Sequence, residues 1–122
     1  AEWTVVFNTG NGTYQLVSGG ANRVYEGGGD DVVQKTVTLA DYRSGIGYGH
    51  GNATSPVPSS GSFPGDNVSF TNNRVTINPR GMINITTGGY VYIANNKSRT
   101  FTVGALSTGV VMLKKWDGSA WN

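Results

Sequence analysis

The sequence predicts an all-β fold, and three observations support this prediction. Nineteen of the 122 residues are glycine, and Thr, Asn and Ser are abundant, a composition that disfavours helices and favours strands joined by turns. Short segments alternate between apolar and polar residues along much of the chain. No segment has the apolar spacing of an amphipathic helix of ordinary length. We therefore expect mostly antiparallel β-sheets.

Length and composition limit the domain count and the classes of function. A chain of 122 residues, 37% hydrophobic and 13% charged, fits one folded domain spanning residues 1 to 122. The absence of cysteine excludes disulfides, thiolate nucleophiles and cysteine-ligated zinc. No apolar run approaches the roughly 20 residues of a membrane-spanning helix.

The first strands are predicted in the N-terminal third. Residues 3 to 7 and 13 to 17 alternate, and the turn sequence NTGNG lies between them, which predicts a β-hairpin. A second pair is expected around Val24 and in VVQKTVTL, separated by the glycine turn EGGGDD. Alternation places Val33, Val37 and Leu39 on one face of that later strand.

Residues 43 to 67 are predicted to form a long loop. RSGIGYGHGNATSPVPSSGSFPGDN contains glycines, prolines and polar residues without sustained periodicity. Structureless loops beyond about 12–15 residues are uncommon in compact domains and are usually functional or disordered. This segment is therefore expected to be either a contact surface or a mobile flap.

The C-terminal half predicts a meander of antiparallel strands. The predicted strand segments are 68 to 70, 75 to 77, 83 to 85, 90 to 94, 99 to 103 and 110 to 116. Pro79-Arg80-Gly81 interrupts this series, and because proline cannot donate to a β-ladder, it is expected at a bend or crossover between strands.

No arrangement of residues in the sequence predicts catalysis. His50 is the only histidine, and spacing supplies neither the nucleophile nor the orienting partner that a general base needs, so a solvent-exposed loop histidine is expected. The aspartates lack the alternating spacing of a calcium loop and are expected to cap turns. We therefore expect no enzyme activity, catalytic residue, metal site or cofactor.

Charge and aromatic residues leave a binding role open. Residues 74 to 122 carry six basic and one acidic side chain, although the net charge of the whole chain is only +2. Lys114, Lys115 and Trp116 form a weak candidate for contact with nucleic acid or a protein partner. Trp116 and Trp121 are candidates for stacking on sugars, although aromatic residues in small β-domains are more often part of the core.

The C-terminal sequence resembles the GspH/FimT family of minor pseudopilins and pilins. The resemblance is carried by VSFTNNRVTINPRG (68–81), the strands at 90–94 and 99–103, and Ser107-Thr108-Gly109 before the last strand; WTVVFNTGNGTYQLV is similar to the family's first hairpin. It makes Pro79, Arg80, Gly81 and Gly109 structural motif residues. It implies a two-sheet, sandwich-like globular head of the pilin type, from which the family's N-terminal helix is absent.

The resemblance also implies a structural role. Such subunits are anchored in the bacterial inner membrane by the N-terminal helix, expose a periplasmic head, and assemble with other minor and major subunits into a type II secretion pseudopilus or a type IV pilus. The head should then carry an apolar stripe that this helix covers, with Trp3, Val5 and Phe7 contributing. Two alternatives are a DNA-binding pilin for DNA uptake, which would use Lys114 and Lys115, and a carbohydrate-binding β module.

Overall fold

Two four-stranded antiparallel sheets form the framework of the chain. The computed structural model describes residues 2–19, 29–41, 45–57, 63–78, 89–95, 97, 99–105 and 110–122. The strands in this part of the chain are β1 (Trp3–Asn8), β2 (Thr13–Ser18), β3 (Val32–Thr38), β4 (Gly47–Tyr48), β5 (Arg74–Ile77), β6 (Gly89–Ala94), β7 (Thr100–Ala105) and β8 (Val111–Lys115). The first sheet has the order β3-β2-β1-β5 and the second the order β4-β6-β7-β8. The predicted mostly β, sandwich-like fold is confirmed.

The predicted N-terminal hairpin is present. β1 and β2 pair antiparallel from Trp3 opposite Ser18 to Asn8 opposite Thr13. Gly12 has a φ of 71°, a left-handed conformation that glycine adopts without the steric cost of a Cβ. The residue types of NTGNG therefore suit the turn that sets the register of the first sheet.

A β-bulge changes which residues of β3 face the core. Val37 pairs with Tyr14, but Val33 pairs with Val17 because the register shifts between Leu16 and Val17. One extra residue on one strand reverses the side-chain alternation beyond it. Val37 and Leu39 are buried, whereas Val33 is 52% exposed. The prediction that all three share one face is therefore wrong for Val33.

The predicted C-terminal meander is present in the second sheet. β6 pairs with β7, and β7 pairs with β8, both antiparallel. Between β6 and β7 the Asn95 side-chain oxygen accepts hydrogen bonds from the backbone N–H groups of Lys97 and Arg99. Val68 forms only an isolated bridge with Val91, so the predicted strand at 68 to 70 is wrong.

The chain crosses from the first sheet to the second between residues 78 and 89. β5 ends at Ile77, and Gly89 begins β6 in the other sheet. Pro79, Arg80 and Gly81 belong to this connection but lie outside the described residues. So do Gly109 and the predicted strands around Val24 and at 83 to 85.

The predicted loop from 43 to 67 contains a short strand. β4 pairs with β6 through Gly47 opposite Ala94 and Tyr48 opposite Ile93. Two residues are too few for an alternation pattern to appear in the sequence. The described parts on either side of β4 lie against the second sheet, which argues against a mobile flap for residues 45–57 and 63–67.

The core between the sheets forms where bulky side chains meet a glycine. Phe70 is buried, and its ring stacks on Phe7 with the ring centroids 5.8 Å apart. A Cβ added to Gly89 would lie 2.6 Å from Cδ1 of Phe70. Glycine at this position therefore lets the aromatic ring pack directly on the β6 backbone. The buried cluster consists of Val68, Phe70, Val75, Val91 and Ala105.

Gly89→Ala is expected to lower the free energy of unfolding by about 1–3 kcal/mol, since the new methyl group forces the buried Phe70 ring to move. Gly47→Ala is the matched control, because a Cβ there meets nothing within 4 Å. Urea unfolding of both variants measures the difference. Equal stability of the two would contradict the close packing of Phe70 on β6.

Candidate functional site

An apolar groove lies between the two sheets. It has a volume of about 370 Å³ and opens to solvent on one side. No charged side chain among the described residues lines it, so it is suited to apolar rather than ionic ligands. Its lining consists of Val5, Phe7, Tyr14, Leu39, Tyr48, Phe70, Val75, Ile77, Val91, Ile93, Val103, Gly104, Ala105 and Val111.

The period-two alternation of the strands builds both walls of the groove. Val5 and Phe7 of β1 lie on the face that they share with Val75 of β5, which pairs with Val5. In the second sheet Val91 pairs with Val103, and both side chains point to the groove. Val5 and Phe7, which the family resemblance placed in an apolar stripe, are therefore part of a wall of the groove.

The apolar surface continues beyond the groove onto β8. Val111 and Leu113 are 67% and 69% exposed, and Val103 at the rim is also exposed. Register places all three on the same face, because Val103 is opposite Leu113 and Ala105 is opposite Val111. Contiguous exposed apolar surface of this kind marks contact sites in soluble proteins. The second sheet therefore presents an open apolar face.

A tyrosine connects the two sheets at one end of the groove. The Tyr48 hydroxyl of β4 donates to the backbone carbonyl of Thr13 in β2, with 2.7 Å between the oxygens. Burial, with a smaller contribution from Tyr14, raises the pKa of Tyr48 to about 12. This bond holds the β4 edge of the second sheet over the first sheet.

The other face of the second sheet is closed by the segment around His50. Tyr92 of β6 is only 1% exposed. Its hydroxyl accepts a hydrogen bond from the Val57 N–H at 2.9 Å and donates to the Val57 carbonyl at 3.3 Å. Burial raises the pKa of Tyr92. Thr100 donates to the His50 carbonyl at 2.8 Å, so two strands of the sheet hold this segment.

The structure corrects the expected exposure of His50. Its ring stacks on Phe63 with centroids 3.8 Å apart, and Nδ1 lies 2.8 Å from the Asn67 side-chain oxygen. Phe63 in turn packs edge-on against Tyr92. His50 is half-buried because it belongs to an aromatic cluster that no sequence spacing could indicate.

The C-terminal residues complete this cover. The Asp117 carboxylate accepts hydrogen bonds from the backbone N–H groups of Ser119 and Ala120 and from the Asn122 amide, and these bonds lower the pKa of Asp117 to about 2. The turn brings Trp121 beside Trp116, and the Trp121 indole donates to the Ser55 carbonyl at 2.8 Å. The C-terminal turn therefore contacts the 45–57 segment and helps to hold it against the second sheet.

Lys114, Lys115 and Trp116 do not form one surface. Lys115 pairs with Phe101 and Lys114 with Thr102, so the two lysine side chains point to opposite faces of the sheet. Trp116 is 6% exposed and packs against Trp121. Because the two tryptophan rings contact each other, neither forms an open platform for a sugar or a base.

Other kinds of site receive no support from the described residues. No group of three or more His, Cys, Asp or Glu side chains in this part of the chain could hold a metal ion. Among the same residues no helix is long and apolar enough to span a membrane. The open apolar face is therefore the candidate binding site.

Comparison with models of known protein families, with curated proteins and with solved structures finds no match to this chain.

Tyr48→Phe is expected to lower the free energy of unfolding by about 1 kcal/mol, because the Thr13 carbonyl loses its bond to the other sheet. The raised pKa also gives a pH effect. A tyrosine that ionises near pH 10 when unfolded and near 12 when folded contributes stability below pH 10 that is lost between pH 10 and 12. Chemical denaturation across this range should show a smaller loss in Tyr48→Phe than in the parent protein. Identical pH profiles would contradict the role of Tyr48.

Tyr92→Phe removes both hydrogen bonds to Val57 while keeping the buried ring. Since the Val57 N–H loses its partner, we expect unfolding to become easier by about 1–2 kcal/mol. Hydrogen exchange should accelerate at Val57 while remaining slow in β1 and β2. Tyr90→Phe, on the same face of β6, is the control. Unchanged protection of Val57 in Tyr92→Phe would show that other contacts hold the segment.

Proposed function

We propose that this domain is the globular head of a minor pseudopilin or pilin, a structural subunit of a type II secretion pseudopilus or a type IV pilus. The observation that carries the proposal is the open apolar groove, which has aromatic and aliphatic walls and no charged side chain among its described lining residues. A surface helix buries an apolar stripe, and such a groove offers it a complementary surface. The occupant we propose is the apolar N-terminal helix that the sequence resemblance implies.

The start of β1 supports this occupant. Trp3 pairs with Ile77, and residues paired in this way share one face of the sheet. Ile77 lines the groove, so the Trp3 side chain lies on the groove side of the first sheet. A segment that precedes Trp3 would therefore begin at the groove and could enter it without crossing a strand.

The groove also offers a way for the head to join a filament through apolar contact, without a covalent or catalytic step. An apolar helix seated there would bury Val103 and Val111 together with part of its own apolar surface, at a gain of about 25 cal/mol per Å². In this proposal the helix holds the head at the bacterial inner membrane, with the head in the periplasm. It later joins the head to other minor and major subunits. No cofactor and no catalytic group takes part.

The two alternative functions receive less support from the geometry. A DNA-binding pilin would need Lys114 and Lys115 to face one phosphate backbone, but they lie on opposite faces of β8. A carbohydrate-binding module would need an accessible ring, and Trp116 is buried against Trp121. The structural role is favoured because it uses the surface that the fold leaves open.

Site-specific photo-crosslinking tests the proposal in the whole protein expressed in its native host. Benzoylphenylalanine placed at Val103, on the groove rim, should crosslink to an apolar helical segment that mass spectrometry can identify. The same group at Thr36, exposed on the face of the first sheet that points away from the groove, is the control and should not reach that segment. Val103 crosslinks to nucleic acid or glycan instead, or no crosslink to a helix, would overturn the proposal.

The substitution Val103→Glu tests the same proposal by measuring incorporation of the protein into filaments. Its carboxylate would have to be buried without a partner when the helix docks, at a cost well above the 1.4 kcal/mol that corresponds to a factor of ten. We therefore expect incorporation into filaments to fall at least about tenfold. Thr36→Glu, exposed on the face of the first sheet that points away from the groove, is the matched control. Both purified domains should unfold with the parent's stability to show that the fold is retained. Normal incorporation of Val103→Glu would contradict helix docking.

A further inference from the structure

A row of exposed side chains along β8 changes from apolar to cationic. Register and the alternation of a strand place Val111, Leu113 and Lys115 on the face of the second sheet that borders the groove. The two apolar side chains are 67% and 69% exposed, and Lys115 is exposed as well. Leu113 and Lys115 are not among the groove-lining residues. We call these three residues the β8 row, and its Leu113–Lys115 part lies beyond the groove.

Two further basic residues lie at the cationic end of the β8 row. The Trp116 N–H donates to the Thr100 carbonyl at 3.0 Å, so the end of β8 lies beside the start of β7. Lys97 and Arg99 are exposed and belong to the turn that leads into β7. Side-chain hydrogen bonds to their backbone N–H groups hold this turn in place. Three cations, including Lys115, are therefore presented at one end of the second sheet.

Little negative charge offsets these cations. Asp117 is the only acidic residue between positions 74 and 122. Its carboxylate accepts hydrogen bonds from Ser119, Ala120 and Asn122 within its own turn. This end of the sheet therefore keeps a positive charge next to the exposed side chain of Leu113.

We propose that the β8 row contacts the surface of a membrane that contains anionic phospholipids. The phosphate groups of the lipids attract Lys115 and the two cations of the turn, while Leu113 reaches the apolar boundary beneath the head groups. A lysine can keep its charge among the head groups while its stem lies along apolar surface. DNA offers phosphates but no apolar layer for Leu113, so the composition of the row favours a membrane.

The contact is weak by itself, because it consists of three cations and a short apolar row. A weak contact is sufficient where a tether already holds the protein near the same surface, since the tether raises the effective concentration. The proposed function supplies this setting, a head held beside the inner membrane by an apolar helix. In that setting the β8 row determines which side of the head faces the lipid.

Vesicle sedimentation tests the proposal with the 122-residue chain. Sucrose-loaded vesicles of phosphatidylglycerol and phosphatidylcholine in equal parts are compared with vesicles of phosphatidylcholine alone over a range of lipid concentrations. We expect binding to the anionic vesicles only, and we expect it to weaken as salt is added because salt screens the charges. Equal binding to both vesicles, or no binding to the anionic ones, would overturn the proposal.

Lys115→Gln and Lys114→Gln form a matched pair of variants. Both remove one positive charge from β8, but the two side chains lie on opposite faces of the sheet. We expect Lys115→Gln to lower the partition coefficient for anionic vesicles about fivefold and Lys114→Gln to lower it clearly less. Equal losses would indicate attraction without a preferred face and would overturn the assignment to the β8 row.

Leu113→Gln separates a membrane from other polyanions. The expected result is a severalfold lower partition coefficient, because the variant loses the apolar side chain that reaches below the head groups. Val33→Gln is the control, since Val33 is 52% exposed on the face of the first sheet that points away from the groove. Urea unfolding of each variant verifies the fold. No effect of Leu113→Gln, or tighter binding to duplex DNA than to vesicles at equal phosphate concentration, would overturn the membrane assignment.

The outcomes separate this inference from the proposed function. Helix crosslinks from Val103 without vesicle binding would leave the structural role supported and overturn only the membrane contact. Vesicle binding through the β8 row without helix crosslinks would support the membrane contact and overturn the helix-docking proposal.

Discussion

The two sheets contact each other over only part of their apolar faces, and the other features of the molecule follow from this incomplete closure. Phe70 fills the space between them where Gly89 removes the side chain that would obstruct it. On the same face of the second sheet, Val103, Val111 and Leu113 remain exposed. Because burying apolar area is the main favourable term in folding, an open face of this kind is a cost that a binding partner would remove.

The two faces of the second sheet are covered differently by the rest of the chain. Its other face is covered by the 45–57 segment, by Phe63 and by the C-terminal turn, and Tyr92 lies fully buried beneath them. Thr100 and Thr102 on that face are buried too, and both hydroxyls donate to backbone carbonyls. In the part of the chain that the structure describes, an irregular segment thus covers the face rich in polar groups and leaves the purely apolar face open.

The sequence was sufficient to predict the strands in which regular alternation and turn residues agree. NTGNG marks the hairpin, and the segments that form β6, β7 and β8 are apolar-rich and separated by turn residues, so local signals determine these elements. It was insufficient where the outcome depends on partners distant in the chain. Val33 faces away from Val37 because of a bulge opposite Leu16 and Val17, and β4 exists only because β6 lies beside it. No local pattern contains either fact.

The candidate site was predictable on one wall only. Alternation in β1 places Val5 and Phe7 on one face, but the opposing wall depends on which strands form the second sheet and how they lie over the first. The available signal was VVMLKKW, a segment with four consecutive apolar residues and lysines only near its end. Natural edge strands usually carry a charge or a bulge along their length to prevent pairing. β3 has such a bulge, whereas β8 is regular from Val111 to Lys115 and is limited only where Asn122 bonds to its last carbonyl. The groove therefore offers a contact through side chains, whereas the end of the β8 edge is already occupied by the chain's own C-terminal residue, since Asn122 donates to the Lys115 carbonyl.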